Sequence, residues 1–382
     1  MEDIPVNNLK KREKLILTAG PSITKKELDY VSDAVLNGWN EKWDHYLKKF
    51  EVEFSRYVGV KHALTTSSCT GAMHLALMSL GISKNDEVII PDISWVATAS
   101  AVVYTGSKPI FADIEKDTWC IDPASIRKLI TKKTKAIMPV HLYGHPANMD
   151  EIGKIAEENN LVIIEDAAPS LGADIKGKKT GSFGIASAFS FQGAKILTTG
   201  EGGIFLTNDD ELYEKVSKLG DHGRSKTKTL WNDEIGYKYK MSNIQAALGL
   251  AQLERINDLV DKKRKIFSWY KERLETIDGL QLNVEKPGCK NIFWMTTIVL
   301  QKDFGISRDE IIKKLKEWNV DSRPVFYPLS SLPMFDDVNN IHAQNLSSNG
   351  ISLPSGHNLQ EDDINYVCEV LKYILKSGGN GE

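Results

Sequence analysis

The chain has 382 residues, 41% of them hydrophobic and 26% charged, which is enough apolar material for a sizeable core and excludes a disordered chain. Its 48 Lys and Arg against 51 Asp and Glu leave a net charge of −3, which excludes a protein built to bind a nucleic-acid backbone or an anionic membrane. The length suggests two or three domains, or one large domain with a smaller companion.

Four scattered cysteines, Cys69, Cys120, Cys289 and Cys368, form no CxxC pair and no zinc spacing, so a reducing compartment is the simpler expectation. The N-terminal stretch is polar, and no apolar run approaches the ~20 residues of a membrane span. A soluble, cytoplasmic protein is expected. The basic runs Lys10–Lys14 and Lys262–Lys265 are expected to be solvated.

In chain order, residues 24–37 predict a helix. Thr24 and Glu27 form a capping box, Leu28, Val31 and Val35 recur at helical spacing, and Gly38 stops it. Seven short β-rich runs follow, at His62–Thr66, Glu87–Pro91, Pro109–Asp113, Lys135–Val140, Leu161–Glu165, Ser187–Phe191 and Gly203–Thr207. Several are almost continuously apolar, as in strands buried on both faces. Helical segments at 70–80, 95–105, 122–131 and 149–159 separate the first five, the third opened by Asp122 and Pro123. This alternation predicts an α/β fold with a mostly parallel sheet flanked by helices.

Near residue 210 the pattern changes. Residues 209–220 and 243–275 predict helices, with Leu253, Ile256 and Val260 on one face. Beyond 280, Asn291–Leu300 and Asp321–Phe326 predict strands, and Arg308–Trp318 and Gln360–Leu375 predict helices. The expected organisation is an N-terminal arm (1–20), a large domain (21–260) and a smaller α+β domain (261–382) ending in a Gly-rich tail.

Ligands of open α/β sheets bind at the carboxyl ends of strands. After the first strand, Ser67-Ser68-Cys69-Thr70-Gly71-Ala72 opens a helix whose amides could close on an anion. After the second comes Trp95, either a core residue or a ligand-facing ring. The fifth ends in Glu165-Asp166, acids that are costly to bury without partners. After the sixth, Lys195 stands in a turn before the glycine-rich Thr199-Gly200-Glu201-Gly202-Gly203. A lysine held in such a cleft loses basicity by desolvation and can serve as nucleophile or base. Two other motifs fail. Gly172–Lys178 has a phosphate-loop spacing, but Lys179 stands where Ser or Thr is needed and the segment is a polar hairpin. His141 and His145 lack a third metal ligand nearby, so no metal is expected.

Together these segments resemble the DegT/DnrJ/EryC1/StrS family of pyridoxal-phosphate-dependent sugar aminotransferases. The likeness is carried by Ser68-Cys69-Thr70-Gly71-Ala72, Asp92-Ile93-Ser94-Trp95, Pro139-Val140-His141-Leu142-Tyr143-Gly144, Ile164-Glu165-Asp166-Ala167-Ala168, Ser190-Phe191 with Lys195, Thr199–Gly203 and Tyr239-Lys240-Met241-Ser242-Asn243. It runs from about residue 20 to residue 375. Pro139–Gly144, Asn243–Glu254 and Ser322-Arg323-Pro324-Val325-Phe326 point to a perosamine-synthase-like subgroup.

The resemblance implies a fold type I transferase with a seven-stranded sheet, acting as a homodimer. It implies pyridoxal 5′-phosphate (PLP, cycling with its amine form) as cofactor, with Lys195 as the lysine that condenses with it and Asp166 beside the ring nitrogen. Trp95 would stack on the ring. Cys69, Thr70 and Ser190 would hold the phosphate, and Asn243 would reach the partner's cofactor. The implied reaction moves an amino group from glutamate to a nucleotide-linked 4-keto-6-deoxy sugar for surface polysaccharide or a related glycan.

Trp43, His45, Tyr46, His222, Arg224, Arg323 and Tyr327 are candidates for lining the substrate pocket. Two departures stand out. Pro169 occupies a position where relatives carry a side chain that can hydrogen-bond, and Trp39–Tyr46 lacks their Ser/Gly-rich character. The competing readings are an aminotransferase of another keto sugar, 3-keto or not nucleotide-linked, and a sugar dehydratase on the same fold. Relatives of the latter kind replace the lysine with His, and Lys195 argues against it.

Overall fold

The computed structural model describes residues 9–378; the last four residues of the Gly-rich tail and the first eight of the arm lie outside them. α1 (Lys25–Asn37) starts on the expected Thr24/Glu27 capping box and stops at Gly38. It does not bury the expected stripe. Its buried residues are Glu27 and Ala34, while Leu28 and Val35 are 63% and 47% exposed. Arg255 and Gln252 bind the Glu27 carboxylate and so turn that face of the helix inward. α2 (His45–Val58) was not anticipated. It buries Phe50 and Phe54 against Phe189 and Phe191 of the sheet.

The sheet units then follow in order: β1 (His62–Thr66), α3 (Cys69–Ser79), β2 (Glu87–Pro91), α4 (Ala97–Tyr104), β3 (Lys108–Ala112), α5 (Pro123–Leu129), β4 (Thr134–Ile137), α6 (Met149–Glu158) and β5 (Val162–Asp166). A small hairpin, β6 (Asp174–Ile175) and β7 (Lys178–Lys179), precedes β8 (Ala186–Ser190) and β9 (Gly203–Thr207). The seven-stranded sheet runs β1-β9-β8-β5-β4-β2-β3. Its β3-β2-β4-β5-β8 run is parallel, and β9 is antiparallel to both β1 and β8. Each of these strands lies within two residues of its expected start, because a period of two and a buried apolar run are local properties.

After α7 (Asp210–Gly220), the expected single helix 243–275 is two: α8 (Asn243–Leu253) and α9 (Ile256–Leu274). Arg255 leaves helical geometry at φ −124°, and its guanidinium binds Glu27, Ser22 and the Ser22 carbonyl. Helix α9 passes through the expected boundary at 260/261. Leu259 and Val260 pack with the large cluster, and Ile266, Trp269, Tyr270 and Leu274 with a second one.

That second cluster surrounds β10 (Leu280–Leu282), β12 (Thr297–Leu300), β13 (Arg323–Pro324) and β14 (Gly350–Ser352), ordered β10-β12-β14-β13. β11 (Cys289–Lys290) pairs instead with β6. Helices α10 (Arg308–Glu317), α11 (Ile341–Asn349) and α12 (Glu361–Gly378) complete the chain. From the arm, Ile16 bridges to Val320 and Thr18 binds Asp321.

The expected strand 291–300 is confined to Thr297–Leu300. Its first half bonds elsewhere, with Ile292 and Trp294 donating to the carbonyls of Gly144 and Tyr143. The strand expected over 321–326 shortens to two residues at the sheet edge, where Pro324 has no N–H to offer. Lys262–Lys265 is not uniformly solvated: Lys263 is 2% exposed. Among the described residues, no helix is long and apolar enough to cross a membrane, and no group of three or more His, Cys, Asp or Glu could hold a metal.

One close approach fixes the site. A Cβ on Gly203 would lie 2.4 Å from the Cys69 nitrogen and 2.5 Å from the Ser68 carbonyl carbon, so the start of β9 presses on the first turn of α3. Backbone cannot yield as a side-chain tip does. Gly203→Ala should cost about 2–3 kcal/mol of stability, read as a lowered denaturant midpoint. An unchanged midpoint would contradict this contact.

Candidate active site

The site is built on the carboxyl end of β5. Asp166 is 4% exposed, and its carboxylate is partly compensated. Thr98 Oγ1 donates to Oδ2 at 2.7 Å, and the Ala168 amide donates to Oδ1 at 3.1 Å. Burial pushes the Asp166 carboxyl above the ordinary carboxylate range, while these two donors and the Lys195 charge hold it back. Thr98 is itself fixed by Ser94 at 2.8 Å, so the polar residues after β2 serve the acid at the end of β5.

The neighbouring acid is satisfied separately. Glu165 accepts the amides of Gly181, Phe183 and Gly184 at 2.6–2.8 Å and meets His141 Nε2 at 2.9 Å. His141 Nδ1 accepts the Ala147 amide, which places the ring proton on Nε2 and makes it the donor to Glu165. His145 Nδ1 donates to the Pro146 carbonyl, and its Nε2 accepts the Lys286 amide. Both histidines that share a metal-like spacing are therefore used up in structural bonds.

Lys195 lies in the turn after β8, closed by its amide on the Gln192 carbonyl. Its Nζ rests 3.7 Å from the centroid of the Trp294 ring. Burial pushes Lys195 down to about 8, opposed by the charge of Asp166. Trp294 Nε1 donates to the Ala194 carbonyl at 2.8 Å, which fixes the ring beside the lysine turn. Trp294 is the first of a row: it stacks on Tyr143 at 6.2 Å, Tyr143 on Phe326 at 5.9 Å, and Phe326 meets Trp95 at 6.2 Å. The row joins Lys195 at one end to Trp95 at the other. Trp95 is 64% exposed, so the core alternative for it does not hold.

At the first turn of α3, Ser68 caps the Gly71 amide and its carbonyl takes the Ala72 amide. The amides of Cys69 and Thr70 precede the first intrahelical bond and face no acceptor among the described residues. Cys69 is buried, and its thiol is pushed up by burial and by Asp166, with Lys195 acting the other way. The first turn of α3, Asp166 and Lys195 are therefore electrostatic neighbours. Ser190 ends β8, and its Oγ accepts the Gln192 amide.

Residues 21–372 match the DegT/DnrJ/EryC1/StrS aminotransferase family. The chain belongs to that family. Among curated relatives, a GDP-perosamine synthase of Escherichia coli O157:H7 is 41% identical over 358 residues, covering 93% of this chain and 97% of the relative. Among solved structures, a putative sugar aminotransferase from Streptococcus pneumoniae in its PMP form superposes with a TM-score of 0.89 at 27% identity, covering 95% and 98% of the two chains. DesI, determined in the presence of its TDP-sugar product, gives a TM-score of 0.89 at 28% identity, covering 97% and 95%.

The other sequence-derived candidates of this aminotransferase are dispersed. Asn243 opens α8 and ties two segments of its own chain, accepting the Tyr46 amide at 2.9 Å and donating to the Gly38 carbonyl at 3.3 Å. Tyr46 is buried, with its hydroxyl donated to Asp33 at 2.7 Å. Trp43 and His45 are exposed beside it. His222 and Arg224 stand on an exposed excursion, where they line a basic concavity of about 520 Å³ with Lys226 and Lys228. Arg323, in β13, and Tyr327, just after it, are exposed, Tyr327 lying near Arg308. Pro169 is buried.

Thr98, Tyr143, Trp294 and Phe326 were not singled out individually from the sequence. Tyr143 carried a signal only within the quoted Pro139–Gly144 segment, and Phe326 only within Ser322–Phe326.

The lysine makes a prediction that needs no cofactor. In the apoenzyme, modification of Lys195 by an amine reagent, mapped by peptide mass spectrometry, should rise through a midpoint of about pH 8, since only the neutral amine reacts. A midpoint near the ordinary lysine value would contradict the lowered basicity of Lys195.

Proposed function

We propose that this chain is a perosamine-synthase-like enzyme: a PLP-dependent aminotransferase that moves an amino group from glutamate to a nucleotide-linked 4-keto-6-deoxy hexose. The observation that carries the reading is the pairing of a lysine of lowered basicity with a buried carboxylate at the carboxyl end of the central sheet. A cofactor with an aldehyde, a basic ring nitrogen and a phosphate needs an amine, an acid and an anion-binding turn. Lys195, Asp166 and the Cys69–Thr70 amides offer these close enough together for their charges to act on one another. Ser190 would add a hydroxyl to the phosphate, and Trp95 a ring face.

PLP, when bound, supplies the electron sink for breaking the donor's α-carbon–hydrogen bond. Asp166 keeps the ring nitrogen cationic. Lys195 Nζ holds the cofactor at rest and, once released, takes the proton from the donor's α-carbon and returns one to the aminated sugar. An amine titrating at about 8 can do both near neutral pH. The aromatic row from Trp294 to Trp95 limits water beside that amine.

The subgroup is supported by the 41% likeness to a GDP-perosamine synthase over nearly the full length of both chains. Glutamate as donor and a role in surface polysaccharide, lipopolysaccharide included, follow from likeness to the family. So does a homodimer, in which Asn243 would reach the partner's cofactor. It is supported by apolar side chains left uncovered on α1 and beyond it: Leu28, Leu36 and Trp39 at 63%, 76% and 58%, and Leu230 and Ile235 at 95% and 96% exposure. Trp43, His45, His222, Arg224, Arg323 and Tyr327 would meet the nucleotide sugar from exposed positions. Tyr46, buried and bound to Asp33, would act through the placement of its neighbours. A cytoplasmic location suits a nucleotide-sugar substrate.

The test is a panel of GDP-, UDP- and dTDP-linked keto sugars with glutamate, read by 2-oxoglutarate release and product mass. Amination of the GDP-4-keto-6-deoxy sugar is expected, with none in Lys195→Ala, which should also lose the visible cofactor band. Efficient amination of small keto acids with no sugar aminated would overturn the proposal.

A further inference from the structure

Lys263 is a buried cation that the chemistry above does not use. It sits on α9 where the helix passes between the two hydrophobic clusters, and it is 2% exposed. Its Nζ donates to two backbone carbonyls, that of Trp294 at 3.1 Å and that of Ser355. No carboxylate among the described residues faces it. The ionisable group coupled to it is His357, held down to about 3 by burial and by the charges of Lys263 and Arg255, with its Nε2 at the Leu259 carbonyl. Burial lowers Lys263 itself to about 7. Burying an amine without a carboxylate partner is costly, and among the described residues the Trp294 and Ser355 carbonyls have no donor other than Lys263.

The two carbonyls explain its placement. Ser355 is fixed from two sides: its Oγ accepts the Thr296 amide, and its own amide donates to the carbonyl of Thr18 in the arm. Trp294 carries the ring on which the Lys195 amine rests and donates its indole N–H to the carbonyl of the residue before that lysine. Lys263 therefore joins a rigid point of the small domain to the floor beneath the reacting amine.

We propose that Lys263 is a positioning residue of the active site: by clamping the Trp294 carbonyl to that of Ser355, it holds the indole against the half-buried Lys195 and limits the water beside its amine. The inference rests on Lys195 being the reacting amine, and it concerns only how that amine is prepared.

The test titrates Lys195 in the apoenzyme, by pH-dependent amine modification and peptide mapping, so it does not depend on the substrate or on amination. Lys263→Met keeps the stem and removes the donors. The midpoint for Lys195 should rise by about one pH unit as water reaches the amine, and kcat in the loaded enzyme should fall about tenfold with little change in KM for the donor. Lys263→Arg, which keeps donors and charge, should restore most of both. Trp294→Phe, which lacks the indole N–H, should move the Lys195 midpoint in the same direction and carries the test alone if Lys263→Met does not fold. A Lys195 midpoint unmoved in the folded variants would overturn the proposal, even with stability reduced. Failure of the sugar panel with the midpoint shifted would instead count against the substrate reading.

Discussion

Two opposite charges are made to share a place with little water. Burial drives Asp166 toward its acid and Lys195 toward its free amine, and each one's charge resists the other's neutralisation. The surrounding structure maintains that balance. Thr98 and the Ala168 amide stabilise the carboxylate just enough to keep it at the end of an apolar strand. Trp294 and the aromatic row line the lysine side, leaving Lys195 half-buried. Glu165, one residue earlier, is removed from the contest by three amides and His141, so a single acid is left to act on the lysine.

Much of this frame was legible along the chain. Strand positions followed from apolar runs of buried parallel β-structure, and two helix starts from the Thr24 and Asp122 caps. The rule that ligands gather at the carboxyl ends of strands led to Asp166, Lys195 and the turn at Cys69 without any view of contacts. What failed did so for tertiary reasons. The α1 stripe of Leu28 and Val35 faces outward because a buried ion pair, Glu27 with Arg255, takes the inner face. The same arginine splits the long helix at 255.

The aromatic wall was not legible because its members are brought together from distant segments. Trp294 and Tyr143 are 151 positions apart in the chain, yet Trp294 donates its amide to the Tyr143 carbonyl and the two rings stack. Tyr143 needs φ of 51° to present its ring, and periodicity gives no sign of such a conformation. Lys263 was hidden for a different reason: in a run of four basic residues, a solvated face is the natural expectation, and only the crossing of α9 between two cores buries one of them. Local motifs thus marked Asp166, Lys195 and the Cys69 turn, whereas the side chains packed beside the lysine come from distant segments of the chain.

The most direct measurement is borohydride reduction of the PLP-loaded protein followed by peptide mapping. The account predicts a single phosphopyridoxyl group, on the peptide carrying Lys195. A label on another lysine, or no label at saturating PLP, would contradict the assignment of the reacting amine and with it the reading of the site.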